Sequence, residues 1–109
     1  MTKNLYIKDE IILCTYIARY GKEEIDEIDI QKITNRSAAS IKMKIQNITS
    51  MLDEEGFDTS PNISKLTGKP EDLKGRKTNW DIVSNLTKLT KNDFLVKCEN
   101  IISNQVKTI

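Results

Sequence analysis

The chain has 109 residues, enough for one domain and one hydrophobic core. It is 38% apolar and 30% charged, with only 4 Gly and 2 Pro, which argues against low-complexity disorder and against a turn-rich all-β fold. With 17 basic and 16 acidic side chains the net charge is +1, so total charge points to no partner.

No histidine is present and no Cys-x-x-Cys occurs, which removes standard zinc sites, Ser-His-Asp and Cys-His triads and histidine general bases. There is no Walker loop and no Gly-x-Gly-x-x-Gly. The acidic runs Glu23-Glu24 and Asp53-Glu54-Glu55 read as solvated segments rather than magnesium ligands. The expectation is a non-enzyme with no metal and no cofactor. No apolar run approaches the roughly 20 residues that cross a bilayer, and the start lacks a signal-peptide pattern, so no membrane partner and a cytoplasmic location are expected. Cys14 and Cys98 fall in apolar helical patterns and are expected as buried free thiols.

Helix 1 is expected over about Lys8–Tyr20, with Ile12, Leu13, Tyr16, Ile17 and Tyr20 on one face, Asp9 and Glu10 in the first turn and Gly21 as C-terminal cap. Lys22–Glu27 reads as an acidic connector. A short helix 2 follows over about Ile30–Thr34, capped by Asp29, with Asn35-Arg36 as the turn. Ser37 caps helix 3, about Ala38–Ser50, whose Ile41, Ile45 and Ile48 recur at helical spacing. Met51–Arg76 has weak periodicity, both prolines and three of the four glycines, and reads as a long loop with one short turn near Ile63-Ser64-Lys65-Leu66. Helix 4 is expected over about Asn79–Leu89 with Thr78 as cap and Trp80 facing the core. Helix 5 starts after Thr90, with Phe94, Leu95, Cys98, Ile101 and Ile102 as its stripe. That stripe is also a candidate homodimer surface.

The expected fold is therefore all-α, a compact bundle of about five helices containing a helix-turn-helix of homeodomain or Myb-like type. Charge is arranged to match. Residues 1–29 hold four basic and seven acidic groups, whereas 30–50 hold Lys32, Arg36, Lys42 and Lys44 with no acid. Residues 51–60 return four acids, and 61–97 carry eight basic groups against four acidic ones.

On a helical wheel Ala38, Ile41, Ile45 and Ile48 face inward. Ser40, Lys44 and Asn47 line one exposed flank, Lys42 and Gln46 the other, with Met43 between. Lysine and arginine neutralise phosphates, Asn and Gln pair with adenine, and Met can touch a thymine methyl. Arg36 and Ser37 stand at the helix's amino end, where phosphates are favoured. Lys74, Arg76 and Lys77 offer a second phosphate contact from the loop, with a solvated basic turn as the equal alternative. Trp80 reads as core rather than as a stacking platform, and Tyr6 is open.

The run Arg36-Ser37-Ala38-Ala39-Ser40-Ile41-Lys42-Met43-Lys44-Ile45-Gln46-Asn47-Ile48 resembles a segment in the N-terminal DNA-recognition domains of HNH-type restriction endonucleases. There an Arg-Ser pair opens a helix, a Lys-plus-aliphatic pair follows, and an Asn closes it. Helix 1 ending in Tyr20-Gly21, Ser50-Met51-Leu52-Asp53 with Gly56-Phe57, and Trp80-Asp81 are similar to neighbouring pieces of those domains, over about residues 5–89. The resemblance implies double-stranded DNA contact through Arg36, Ser37, Ser40, Lys42, Lys44 and Asn47. The sequence has no histidine, so the nuclease activity does not carry over.

Beside a purely structural small helical protein, which no particular residue supports, two functions stand at this point. One is a DNA-binding module, a regulator or the recognition part of a restriction-modification system, its Ile, Lys and Asn content suggesting an AT-rich bacterium or phage. The other is a protein-interaction module, an inhibitor or adaptor, that uses the acidic segments 23–29 and 53–58 against a protein partner.

Overall fold

The protein was analysed as a computed structural model that describes residues 7–61, 63 and 79–106. The described residues form five helices and no strand, so the all-α expectation holds. They are α1 (Lys8–Tyr20), α2 (Glu27–Gln31), α3 (Ala38–Glu54), α4 (Trp80–Leu86) and α5 (Lys91–Val106).

Helix α1 is the axis of the fold. Every residue from Glu10 to Ala18 is buried, because α2, α3, α4 and α5 all pack on it. Its bounds match the apolar pattern, and Gly21 ends it at φ +91°, donating its N–H to the Ile17 carbonyl at 2.8 Å. That left-handed backbone favours glycine. A side chain there would also crowd the Ser60 hydroxyl, 3.1 Å from where a Cβ would stand.

Helix α2 begins three residues earlier than its expected start at Ile30. Asp26, not Asp29, is the cap: its carboxylate accepts the N–H groups of Ile28 and Asp29 at 3.0 and 3.2 Å. Asp29 reciprocates by accepting the N–H of Asp26 at 3.1 Å, closing a capping box. The expected connector thus ends inside the helix.

Helix α3 starts where predicted, with the Ser37 hydroxyl accepting the Ser40 N–H at 3.1 Å, but runs one turn further, to Glu54. Met51 and Leu52, expected in the loop, extend its stripe and are buried. The loop beyond is tied back to α1, since the Ser60 N–H donates to the Ala18 carbonyl at 2.9 Å and Ile63 packs on the core. The helical turn expected at Ile63–Leu66 falls mostly outside the described residues.

Helix α4 is shorter than expected, and Asn79, at φ +63°, occupies its N-cap position. Thr78 lies outside the described residues. Trp80 packs on the core, 6.3 Å from the Phe57 ring, as its place at the head of the stripe implies. Helix α5 opens as expected, with the Thr90 hydroxyl accepting the Asp93 N–H at 3.1 Å. Its Phe94 meets the Tyr16 ring edge-on at 5.3 Å and so fastens α5 to α1.

Cys14 and Cys98 are both free and fully buried. Burial pushes each thiol up to about 12, far from the thiolate form that reacts. Native protein should therefore leave both thiols unmodified by a disulfide reagent at neutral pH over minutes, and denatured protein should release two equivalents at once. Fast reaction of either in the native state would contradict this packing.

Candidate nucleic-acid interface

The residues singled out in the sequence around α3 separate into two groups once the helix is placed. One group holds the helix in position, and the other meets solvent.

Arg36 belongs to the first group. Its side chain is 13% exposed and grips the Glu10 carboxylate through two N–H groups, Nε to Oε2 at 2.9 Å and Nη2 to Oε1 at 3.2 Å. Glu10 also accepts the Ile7 N–H at 2.9 Å and a hydrogen bond from the Thr34 side chain. Burial alone would push this carboxyl up. The bonds from Arg36, Thr34 and Ile7, with the Arg36 charge, outweigh burial and hold it below the usual carboxylate range. The expected role of Arg36 as a phosphate ligand is thus corrected, because its guanidinium is turned into the protein. The Gln31 side chain fixes the same turn by donating to the Arg36 carbonyl at 3.2 Å.

Lys44 is also corrected. It is 8% exposed rather than on an outer flank, and its ammonium donates to Asn79 Oδ1 at 2.9 Å. Burial lowers its pKa, with the Arg36 charge acting in the same direction and Cys14 opposing it. The geometric reason is simple. At about 100° per residue, position 44 lies between Ile48 and Met51, about 40° from one and about 20° from the other, so the extension of α3 past Ser50 carries the apolar stripe over it. Ala38 shows the converse: it is on the stripe's side of the wheel but exposed, because the first turn projects beyond the core.

The second group forms the outer face. Ser37, Ala39, Lys42 and Met43 are exposed, and Ser40, Gln46 and Asn47 are half-buried. Met43 is 59% exposed, one of the most exposed large apolar side chains among the described residues. Lys32 lies exposed in the connection before α3, with a 3.4 Å contact to Asp29. Such a surface pair contributes little and exchanges readily for another anion. No acid occurs between residues 30 and 50. Lys74, Arg76 and Lys77, the expected second phosphate contact, lie outside the described residues.

The acidic segment 23–29 is mostly engaged within the protein. Asp26 and Asp29 cap α2, Glu27 pairs with Lys22 at 2.6 Å, and Glu24 accepts the Tyr16 hydroxyl at 3.1 Å. Asp53, Glu54 and Glu55 likewise have interactions of their own. A groove of about 370 Å³ lies elsewhere, between Lys8 of α1, Ile82 and Leu86 of α4, and Lys97 of α5. No group of three His, Cys, Asp or Glu side chains among the described residues is placed to hold a metal. No described helix is long and apolar enough to cross a membrane. No protein-family description matches this chain, and no characterised protein or solved structure shows significant similarity to it.

The division into two groups has consequences for stability. Arg36→Ala leaves the Glu10 charge buried without its main partner and should destabilise the fold by about 3 kcal/mol. Because the Glu10 carboxyl titrates lower in the folded chain than its unfolded value of about 4.3, its contribution is present above that pH. It is lost as pH falls through the folded pKa. Glu10→Gln should therefore flatten the acid limb of stability against pH, measured by urea unfolding from pH 6 to about pH 3. An unchanged limb would remove Glu10 as its source.

Lys44→Ala should destabilise by about 2 kcal/mol, whereas Lys42→Ala should stay within about 0.5 kcal/mol of the parent. Equal thermal shifts for the two variants would contradict the burial difference.

Proposed function

We propose that this chain is a non-catalytic module that binds double-stranded DNA, with α2, the connection 32–37 and α3 acting as a helix-turn-helix. The observation that carries the proposal is the exposed face of α3. It presents Ser37, Lys42, Met43 and the half-buried Gln46 from a helix whose other side is locked against α1. A recognition helix needs this combination: rigid backing, a cation for phosphate, and side chains that reach base edges near its amino end.

Electrostatics support the same reading. A stretch without acids, flanked by acidic segments, attracts phosphate at one place and repels it elsewhere. The first-turn N–H groups of a helix add partial positive charge at that end. In this reading Lys42 and Lys32 contact phosphates, with Ser37 beside them, while Arg36 and Lys44 set the angle of the helix. The resemblance to the recognition domains of HNH-type restriction endonucleases agrees with the part assigned to Ser37 and Lys42, though not with that of Arg36 and Lys44, and makes a restriction-modification system of a bacterium or phage the proposed setting.

The test is fluorescence anisotropy of the protein with a labelled random-sequence duplex, titrated across salt. Affinity should fall with salt at a log–log slope of about −0.9 for each phosphate contacted. Lys42→Ala should weaken binding and reduce that slope by about 0.9, without changing the fold. Absence of binding at low ionic strength, with circular dichroism intact, would end the proposal. A protein partner for the acidic segments would then be sought.

A further inference from the structure

The outer face of α3 has one feature that phosphate binding does not require. Met43 stands 59% exposed at its centre, with exposed Ala39 one turn earlier on the same side. At about 100° per residue these two positions lie roughly opposite the buried stripe of Ile41, Ile45 and Ile48, so they form the ridge that points furthest from the protein. Lys42 flanks the ridge with a charge, and Gln46 follows with an amide.

A small residue and a flexible thioether in line leave a narrow apolar strip on an otherwise polar helix. Among the described residues neither side chain belongs to the core. The exposed charge beside this strip is the cation Lys42, so the complementary partner is anionic there and apolar at one point. In the major groove of a duplex the bulkiest apolar point is the 5-methyl group of a pyrimidine, which projects further than the C–H edges of cytosine and the purines.

We infer that Met43, with Ala39 beside it, reads the 5-methyl groups of pyrimidines in the major groove, thymine in an unmodified duplex. This inference rests on the DNA-binding reading and assigns it a substrate class: A·T-containing sites whose methyls line the groove. Methionine suits the task because its unbranched chain can follow a methyl without imposing one fixed rotamer.

Four duplexes of equal length test it by anisotropy at one salt concentration: alternating dA-dT, alternating dA-dU, alternating dG-dC, and dG with 5-methyl-dC. The first pair differs only in the thymine methyl, and the second only in a methyl on cytosine. The dA-dT duplex should bind about fourfold tighter than dA-dU for each methyl buried. A parallel gain with 5-methyl-dC would identify the methyl alone as the ligand. A gain confined to dA-dT would make thymine its source.

Met43→Ala, at an exposed helical position where folding is not at risk, should bring the dA-dT to dA-dU ratio to one, and Met43→Leu should retain most of it. Equal binding of dA-dT and dA-dU by the parent chain overturns the inference while leaving the DNA-binding reading in place. Preserved discrimination in Met43→Ala also overturns it. Failure to bind any of the four overturns both.

Discussion

The ion pair between Glu10 and Arg36 joins three parts of the chain. Glu10 is on the first turn of α1, and Arg36 is the residue before the cap of α3. The same carboxylate also takes the N–H of Ile7 and a hydrogen bond from Thr34. The start of α1, the end of the α2–α3 connection and the origin of α3 are thereby held to one pair of oxygens. Apolar packing is non-directional, and the three isoleucines of α3 would tolerate rotation or sliding against α1. A bidentate guanidinium contact does not. Buried ion pairs often contribute little net stability compared with an apolar replacement, so the role assigned to this one is positional.

A second polar contact works in the same way from the other side. Lys44 reaches across to Asn79, the residue that starts α4 in a left-handed backbone conformation. Helix α3 is therefore located by α1 through apolar side chains, by Arg36 at its amino end, and by Asn79 near its middle. Two of the charges that a sequence reading assigns to DNA, Arg36 and Lys44, are ones that orient the helix. The side chains left for an outside partner are fewer and less basic than composition suggests.

What was legible in the sequence follows the length of each pattern. Helices α1 and α3 carry long apolar stripes, and both starts were readable to the residue from periodicity and, for α3, the Ser37 cap. Helix α2 is too short for periodicity to locate. Its start depends on which of two aspartates is the cap, and the two bond each other reciprocally, which a linear reading cannot resolve. The end of α3 was placed early because Met51 and Leu52 precede an acidic run that resembles a loop. The candidate interface was legible only in part. Lys42 and Met43 were placed on the surface by the wheel, and they are there. Arg36 and Lys44 were misassigned because their partners are 26 and 35 residues away, and residue chemistry outweighed wheel position. Lys44 stands at the edge of the isoleucine stripe, and the unexpected last turn of α3, through buried Met51, puts it within the apolar face.

One consequence concerns how such a chain can change over generations. Positions 39, 42 and 43 of α3 are exposed, while the contacts that locate the helix are made by 36, 41, 44, 45 and 48. Substitutions at the first set leave folding free energy nearly untouched, so drift there is not filtered by a stability threshold. Two lineages of this scaffold can therefore diverge in the exposed face of α3 while remaining superimposable in fold. The interleaving of the two sets, alternating along the same three turns, means that no segment exchange separates them. Only point substitutions can.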